Sequence, residues 1–414
     1  MRILYLLSEF VLPTQSGLRV REMSQLRLLA SIDEVESITV LTISGESVPE
    51  EQLNALSSMF PRVQIETPVV QPRKIRQSRD ALQNFVRRRV FHNEPYLIAI
   101  YNSKEMHRVV SRQLRNNRYD VVYISYLGVS AYLDTIRKWA PGALVVLEQH
   151  NIEWRIFDRL ADSLKPPMRQ LVRYEAHALR NYEQRVMKRV DSVIAISSID
   201  ARELDELSGI NSVVIPPYFE LQAQRESVQA KPVLGYIGHL GWQPNVIGLD
   251  WFCDDVWPLV RRQLPDARLT VAGPGLAKDE RSGQVIAPGA WQREGIEVVG
   301  FVDDLNDLYN RTAAMIAPVV GGSGVRMKLL ETLSAGMPTV TTPDGALGLD
   351  VEDGRELLIA KDAAGFAERV VRVLSDTQLQ KSLRASGYEF LEKYHSKPVA
   401  INCFKNALRM SSDN

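Results

Sequence analysis

Cysteine is almost absent from this 414-residue sequence, since Cys253 and Cys403 are the only two and lie far apart. They match no disulfide or zinc spacing, so a disulfide-stapled secreted protein is excluded and a reducing cytoplasm is the expected compartment. Net charge is absent too: fifty basic residues balance fifty acidic ones, and no overall field favours nucleic acid as a partner. No His, Cys or carboxylate cluster has metal-ligand spacing, so we expect no bound metal.

Long apolar runs are also missing, because no stretch approaches the roughly 18–20 apolar residues that span a bilayer. The start, MRILYLLSEF, has a short apolar run before Ser8 and Glu9, too short for a signal-peptide core, and it predicts a first strand. Any membrane contact is therefore expected to be peripheral. The candidate is the basic segment 71–96, whose apolar residues fall on one helical face between arginine clusters. The alternative is a core-facing stripe with solvated arginines opposite.

Short apolar runs alternate with longer amphipathic segments along the chain. Such runs suit strands buried on both faces of a parallel sheet, with helical right-handed crossovers between them. The strands are predicted at 2–7, 37–43, 119–125, 143–148, 191–196 and 212–216, and then at 232–238, 267–273, 296–300, 313–319, 338–342 and 356–360.

The alternation lapses in the polar stretch 218–232 and then restarts, which indicates a boundary between two α/β domains. The length also allows two or three domains at roughly 150 residues each. We therefore predict two doubly wound, Rossmann-like domains facing a central cleft, where open sheets bind ligands at the carboxyl ends of their strands. The predicted parts are a first domain at 1–220, a linker at 221–231, a second domain at 232–394, and a C-terminal helix at 395–414 that returns to the first domain.

The most informative stretch follows the strand at 313–319, with a glycine loop over 321–324 and a helix predicted over 325–335. Arg326 and Lys328 put two cations in the first turn, where the helix dipole is positive and no acidic residue balances them. A bound anion would reverse this cost, because the loop N–H groups, the dipole and both side chains would face negative charge. The alternative is a solvated helix end with a Lys328–Glu331 pair.

Other loops that follow predicted strands carry candidate site residues. After the first strand, Gly17 forms a small turn, and Arg19 and Arg21 either contact substrate or are solvated. His150 and Asn151 follow the strand at 143–148, where a histidine can donate to a sugar hydroxyl or simply be a satisfied polar residue.

In the second domain, Gly238 lets backbone amides approach a ligand closely, or forms a plain strand-to-helix turn. The acidic pair Asp303 and Asp304 precedes an amphipathic helix, which favours an N-cap over a metal site.

Together these residues resemble a GT-B glycosyltransferase of family four, the retaining nucleotide-sugar enzymes. Within that family they are similar to a bacterial subgroup tied to exopolysaccharide or other surface-glycan assembly. The second domain carries the more specific motifs, in the expected order: YIGHLGWQPNVIGLDWF, GFVDDLNDLY, GGSGVRMKLLETLSAGMPTV and TTPDGALGL. The first domain matches more loosely, in PTQSGLRVRE, EQHNIEWRIFDRLA and VIAISSIDARELDEL.

The resemblance implies roles for particular residues. Glu331 stands where the family binds the ribose hydroxyls, and Ser323 stands where many members carry a second glutamate beside the donor sugar. His239 and Asn245 replace an arginine and a lysine that many relatives place against the diphosphate. The subgroup instead carries a basic pair ahead of the glutamate, which here is Arg326 and Lys328.

The resemblance further assigns base contact to the backbone at 300–302 and the donor sugar to His150. The catalytic residues implied are His150, Arg326 and Lys328. The donor-binding residues implied are Gly17, Gly238, His239, Asn245, Gly300, Phe301, Val302, Gly322, Ser323, Gly324, Val325 and Glu331. The acceptor-side residues implied are Arg19, Arg21 and Asn151.

The expected activity is metal-independent transfer of a hexosyl unit from a nucleoside diphosphate sugar to a glycan or lipid-linked acceptor, with retention at the anomeric carbon. The expected location is the cytoplasm or the cytoplasmic face of the membrane. A nonhydrolysing nucleotide-sugar epimerase shares the two-domain fold and is one alternative. The other is a catalytically silent nucleotide-sugar-binding partner protein, which the departure at Ser323 would fit.

Overall fold

The computed structural model describes residues 1–14, 17–43, 47–66, 94–162, 164–222, 232–277, 279, 284–321 and 325–410. The chain divides into two compact units. The first holds Met1–Thr14, Leu18–Pro217 and the chain from Ala400 onward, and the second holds Gly17 and Tyr218–Val399. These divisions lie within five residues of the boundaries at 220 and 395 that the sequence predicts. Most of the predicted linker and nearly all of the basic segment 71–96 lie outside the described residues.

The first domain is a seven-stranded parallel sheet with the order β3-β2-β1-β4-β5-β6-β7. Its strands are β1 (Arg2–Leu7), β2 (Ser37–Thr42), β3 (Val63–Glu66), β4 (Val121–Ile124), β5 (Leu144–Gln149), β6 (Ser192–Ala195) and β7 (Val213–Val214). Its helices are α1 (Gly17–Ala30), α2 (Glu50–Met59), α3 (Tyr96–Tyr101), α4 (Lys104–Asn116), α5 (Leu133–Trp139), α6 (Glu153–Asp162), α7 (Met168–Met187) and α8 (Ser198–Ser208).

The second domain is a six-stranded parallel sheet with the order β10-β9-β8-β11-β12-β13. Its strands are β8 (Val233–Ile237), β9 (Arg268–Ala272), β10 (Ile296–Gly300), β11 (Ala314–Ala317), β12 (Thr339–Thr341) and β13 (Leu358–Ile359). Its helices are α9 (Gln243–Trp251), α10 (Trp257–Gln263), α11 (Leu305–Tyr309), α12 (Met327–Ser334), α13 (Pro343–Ala346), α14 (Ala363–Ser375) and α15 (Thr377–Tyr394), and α16 (Lys397–Met410) follows.

The apolar runs form these strands because both faces of each sheet are covered by helices. Residues 3–7 of β1 and all of β4 are buried, so no polar alternation is needed there. The prediction missed β3, whose short VQIE sequence is buried at only one residue and forms the edge of the sheet. An edge strand faces solvent and therefore lacks the continuous apolar signal of its neighbours.

In each sheet the strand order reverses beside the first strand of the domain. The reversal lies between β1 and β4 in the first sheet, and between β8 and β11 in the second. Ligands of doubly wound sheets bind at the carboxyl ends of the strands at such switch points. Within the described part of the chain, no helix has both the length and the apolarity to cross a bilayer.

Candidate active site

The switch point of the first sheet holds a buried polar cluster. Ser8 follows β1 and Ser125 follows β4, and their hydroxyls donate to Glu22 Oε1 of α1 over 3.1 and 2.8 Å. Burial raises the pKa of Glu22 to about 8, although both serines act against the shift. Glu22 is fully buried, and its Oε2 atom has no hydrogen-bond partner among the described residues.

One residue earlier in α1, Arg21 forms a buried ion pair. Its Nε donates to Glu148 Oε1 of β5 over 2.6 Å, and an Nη atom donates to the carbonyl of Ile215 over 3.0 Å. Arg21 is 2% exposed, so the solvated arginine that one interpretation of the sequence expects is wrong. Arg21 is engaged inside the first domain, because Glu148 needs a cation once it is removed from water.

Glu148 is an anion held by the same neighbours. Burial alone would raise its pKa, but Arg21, then His150 and Tyr123, outweigh that effect and lower the pKa to about 2. The Tyr123 hydroxyl donates to Glu148 Oε2 over 2.7 Å, so each carboxylate oxygen accepts one strong hydrogen bond. No motif in the sequence marks Glu148, although the two-residue period of a strand places it on the same face of the chain as His150.

His150 lies directly after β5 and is 7% exposed. Its Nε2 is 3.6 Å from Glu148 Oε1, and its ring centroid is 6.3 Å from that of Tyr126. Neither ring nitrogen has a hydrogen-bond partner within the described ranges. A side chain with two unused polar atoms at a strand's carboxyl end fits a residue that contacts a ligand.

The other candidates of the first domain have protein partners. Arg19 donates to Glu9 Oε2 over 2.8 Å and to the carbonyl of Pro13 over 3.2 Å, and it remains partly exposed. Asn151 bonds to Glu153, whose pKa is raised to about 7 by burial. Gly17 is the first residue of α1. Acceptor contact by Arg19 and Asn151 stays a prediction.

Three glycines bring the loops after β8, β9 and β10 of the second domain close together. The N–H of Gly273 donates to the carbonyl of Gly300 over 2.7 Å, and the N–H of Gly238 donates to the carbonyl of Ala272 over 3.2 Å. Gly273 has φ +146, and a Cβ there would lie 1.7 Å from the carbonyl oxygen of Gly238. Only glycine allows this approach, so the loops after these strands are positioned by backbone geometry.

Lys328 extends from α12 to the end of β8 and the first turn of α9. Its Nζ donates to Asn245 Oδ1 over 2.8 Å and to the Tyr236 hydroxyl over 3.4 Å, and lies 4.8 Å from the Tyr236 ring centroid. A Cβ on Gly238 would be 3.1 Å from this Nζ, so the ammonium group lies against a residue without a side chain. Burial, and then the charge of Arg326, lower the pKa of Lys328 to about 7. The Lys328–Glu331 pair of the alternative interpretation is not formed.

Arg326 differs from its predicted position in the first helical turn. It has extended backbone angles and is the N-cap residue of α12, which begins at Met327. Its guanidinium donates to the carbonyl of Gly321 over 2.9 Å, while the N–H of Gly321 donates to Asp344 Oδ2 over 2.7 Å. Arg326 therefore holds the start of the glycine loop. The remaining predicted loop residues, Gly322, Ser323 and Gly324, lie outside the described residues.

Glu331 lies one helical turn after Lys328 and is partly buried. Burial raises its pKa to about 7. No hydrogen bond or ion pair connects its carboxylate to another described side chain. A buried carboxylate without a partner is costly, and hydroxyl donors from a ligand would relieve that cost.

The remaining predicted donor contacts lie at loops of the same domain. Phe301 is 44% exposed just after β10, whereas Val302 packs against an apolar cluster and Val325 is buried. His239 Nδ1 accepts a hydrogen bond from the N–H of Gly241 over 3.2 Å. Asp304 accepts from the N–H of Asn306, which confirms the N-cap interpretation. Among the described residues, no group of three His, Cys, Asp or Glu side chains could hold a metal ion.

Comparison with known proteins agrees with this architecture. Residues 231–376 match a family model described as Glycosyl transferases group 1, and residues 52–222 match one described as Glycosyltransferase Family 4. Among solved structures, Anabaena Alr3699/HepE in complex with UDP and glucose superposes with a TM-score of 0.63 at 13% identity, over 99% of both chains. At that identity the superposition shows the fold alone, and the fold is that of GT-B glycosyltransferases.

Two curated relatives are similar over part of the chain. An uncharacterized 44.6 kDa protein in the cps region of Klebsiella pneumoniae is 28% identical over 41% of this chain and 44% of its own length. A phosphatidyl-myo-inositol mannosyltransferase of Mycobacterium leprae is 27% identical over 54% of this chain and 59% of its own. The chain thus spans about half the length of the curated relatives it matches. With both family models and the two Rossmann-like domains, these matches show that the chain belongs to the family four GT-B glycosyltransferases.

Proposed function

We propose that the protein transfers a hexosyl unit from a nucleoside diphosphate sugar to a glycan or lipid-linked acceptor, in surface-glycan assembly and with retention. One observation carries the proposal: Lys328 is a partly buried cation beside Gly238 whose described polar partners are neutral, Asn245 and Tyr236. Burial lowers the pKa of this ammonium group, which lies against the backbone of Gly238 at the switch point of the second sheet. Such a group is suited to bind an anionic ligand. The name of one curated relative, a phosphatidyl-myo-inositol mannosyltransferase, supports transfer of a hexosyl unit to a lipid-linked acceptor.

The chemistry follows from where charge grows during the reaction. As the glycosidic bond to the diphosphate breaks, negative charge accumulates on the leaving phosphate, and donors already directed there lower the barrier. Lys328 and Arg326 supply this charge in the proposal, and Glu331 accepts hydrogen bonds from the ribose hydroxyls. The departing phosphate takes the proton of the acceptor hydroxyl, so the reaction needs no carboxylate pair of the glycosidase kind. His150 contacts the donor sugar.

A panel of nucleotides and their sugars tests the proposal. We expect one of UDP, GDP, ADP and dTDP to raise the melting temperature by several degrees, since a ligand at 100 times its Kd stabilises by about 2.7 kcal/mol. The matching nucleotide sugar is then incubated with glycan and lipid-linked acceptors. Transfer with an α- or β-configuration equal to that of the donor supports the proposal. Interconversion of the nucleotide sugar without acceptor identifies an epimerase, and tight binding without any transfer identifies a silent binding protein.

Proton uptake on binding is a second expected result. Lys328, with a pKa of about 7, is half ionised in the free protein at pH 7 and becomes fully ionised beside a diphosphate. Glu331, with a raised pKa of about 7, releases its proton to the buffer when ribose hydroxyls donate hydrogen bonds to its carboxylate, which partly cancels the uptake. In Glu331→Gln, calorimetry at pH 7 in two buffers of different ionisation enthalpy should therefore show uptake of about half a proton.

The ligand for this measurement is the nucleotide sugar that the panel selects, because its doubly esterified diphosphate does not itself titrate near pH 7. Lys328→Met combined with Glu331→Gln is the matched control and should bind without buffer dependence. Zero uptake in Glu331→Gln would contradict the placement of the diphosphate at Lys328.

A further inference from the structure

The end of β5 places two ionisable side chains on one face of the chain. Glu148 is the fifth residue of β5 and His150 follows the strand, so successive side chains alternate and these two point the same way. Their closest approach joins Glu148 Oε1 and His150 Nε2 at 3.6 Å. A shortening of less than 1 Å would make this a hydrogen bond of ordinary length.

Glu148 cannot turn away from His150, because both of its oxygens are already held. Arg21 Nε donates to Oε1 over 2.6 Å, and the Tyr123 hydroxyl donates to Oε2 over 2.7 Å. The Glu148 side chain is fully buried, and the Arg21 side chain is 3% exposed. Gln25 Nε2 in turn donates to the Tyr123 hydroxyl over 2.8 Å, which fixes that hydroxyl. Arg21 and Gln25 of α1 and Tyr123 of β4 thus form a clamp that holds Glu148 of β5.

The other neighbours of His150 do not compete for Nε2. The ring of Tyr126 lies tilted at a centroid distance of 6.3 Å, and Tyr126 bonds to Glu153 of α6. Glu183 of α7 accepts from Gln149 Nε2 over 2.8 Å and from the N–H of Glu153 over 3.3 Å. Among the described residues, Glu148 is the one carboxylate with an oxygen within 4 Å of a His150 ring nitrogen.

We propose that Glu148, clamped by Arg21 and Tyr123, is the positioning residue of His150: it keeps the proton of His150 on Nε2 and leaves Nδ1 for the donor sugar. The inference rests on the proposed function, in which His150 contacts that sugar. The tautomer of a histidine is set by the partner of its other ring nitrogen, and an anionic oxygen facing Nε2 selects the Nε2–H form. Arg21 thereby acts through Glu148 and not on the acceptor.

The first test does not depend on activity. The chain has six histidines, so long-range 15N correlation spectra of histidine-labelled protein are tractable, and His150→Ala identifies the His150 signals by their disappearance. We expect the Nε2–H pattern in the native protein and a mixed tautomer pattern in Glu148→Gln. Identical His150 spectra in the two proteins would overturn the positioning role, whatever reaction the protein catalyses.

The second test is a double-mutant cycle with sugar transfer as the readout. We expect Glu148→Gln to lower kcat by about 10- to 100-fold with little change in the donor KM, and to have less than about a twofold effect in the His150→Ala background. A residue that merely supports the fold would give the same factor in both backgrounds, which would overturn the inference. Glu183→Gln is the matched control, a buried carboxylate of the same domain that bonds to Gln149, and its effect should be additive.

A second variant distinguishes a folding defect from the loss of His150 positioning. Glu148→Gln leaves the Arg21 charge buried without its partner, so Arg21→Gln combined with Glu148→Gln removes both charges together. This double variant should show the same loss of kcat and the same tautomer change as Glu148→Gln alone. Absence of transfer by the native protein would contradict the proposed function, while the labelled spectra would still decide the role of Glu148.

Discussion

Replacing Lys328 with Met is expected to lower kcat by about 100- to 1000-fold while leaving the protein folded. The loss is large because a donor directed at the developing charge of a leaving group lowers the barrier by about 3–4 kcal/mol. Methionine keeps most of the side-chain volume against Tyr236 and removes the charge together with the hydrogen bonds to Asn245 and Tyr236. Initial rates of sugar transfer at saturating donor measure the effect.

The same substitution is expected to stabilise the protein. The pKa of Lys328 is lower in the folded state than in the unfolded state. Between these two pKa values the folded protein binds fewer protons, and at lower pH the buried charged lysine reduces the free energy of unfolding. The cost is full below pH 7 and fades as the pH rises toward the unfolded value. Lys328→Met should therefore gain about 1–2 kcal/mol near pH 6, and less at pH 9. Thermal unfolding at the two pH values measures the gain.

The matched control is Lys361→Met, which removes an exposed lysine of the same domain. It should change neither kcat nor the melting temperature. Native turnover by Lys328→Met would show that the diphosphate does not bind at this lysine. A lost kcat together with a lowered melting temperature at pH 6 would instead point to a structural role.

The second large effect is expected from Gly273→Ala. The new Cβ would lie 1.7 Å from the Gly238 oxygen and 2.8 Å from the Gly238 carbonyl carbon, both rigid backbone atoms, at a φ of +146. The loop after β8 or β9 must move, which we expect to cost about 3 kcal/mol or more and to displace Gly238 from Lys328. The melting temperature and the shift induced by the nucleotide sugar measure the two consequences.

Gly289→Ala is the control for this experiment, because a Cβ there meets nothing within 4 Å. We expect it to match the native protein in stability and in nucleotide response. A Gly273→Ala protein with a native melting temperature and a native ligand-induced shift would refute the view that the loops after β8 and β9 are fixed by close backbone contact.

Much of the fold could be predicted from the sequence because buried parallel strands are apolar throughout. The strand predicted at 2–7 is observed as Arg2–Leu7, and that predicted at 296–300 as Ile296–Gly300. Predictions failed at two edge strands, where 356–360 shrinks to Leu358–Ile359 and Val63–Glu66 was missed, although the edge strand β10 was predicted at its observed bounds. The two poorly predicted strands are short and only partly buried, so their sequences lack a distinctive period.

The candidate site divides in the same way between local and long-range information. The cations at 326 and 328 were recognisable because their signal is local, an unbalanced charge at a helix start. The Arg21–Glu148 pair joins residues 127 positions apart, and no local sequence pattern predicts it. Burial contradicts the solvated interpretation of Arg21, and the structure shows this residue as the ion-pair partner of Glu148.

The sequence by itself determined the two-domain α/β architecture, the family and the basic helix start, because periodicity, glycine loops and charge at helix ends act over a few neighbouring residues. The tertiary structure alone decided which ionisable groups are buried together. It joined Lys328 to Asn245 and Tyr236, left the Glu331 carboxylate without a described partner, and set Glu148 beside His150. The physical reason is that desolvation and pairing depend on distances in space, which sequence spacing does not fix.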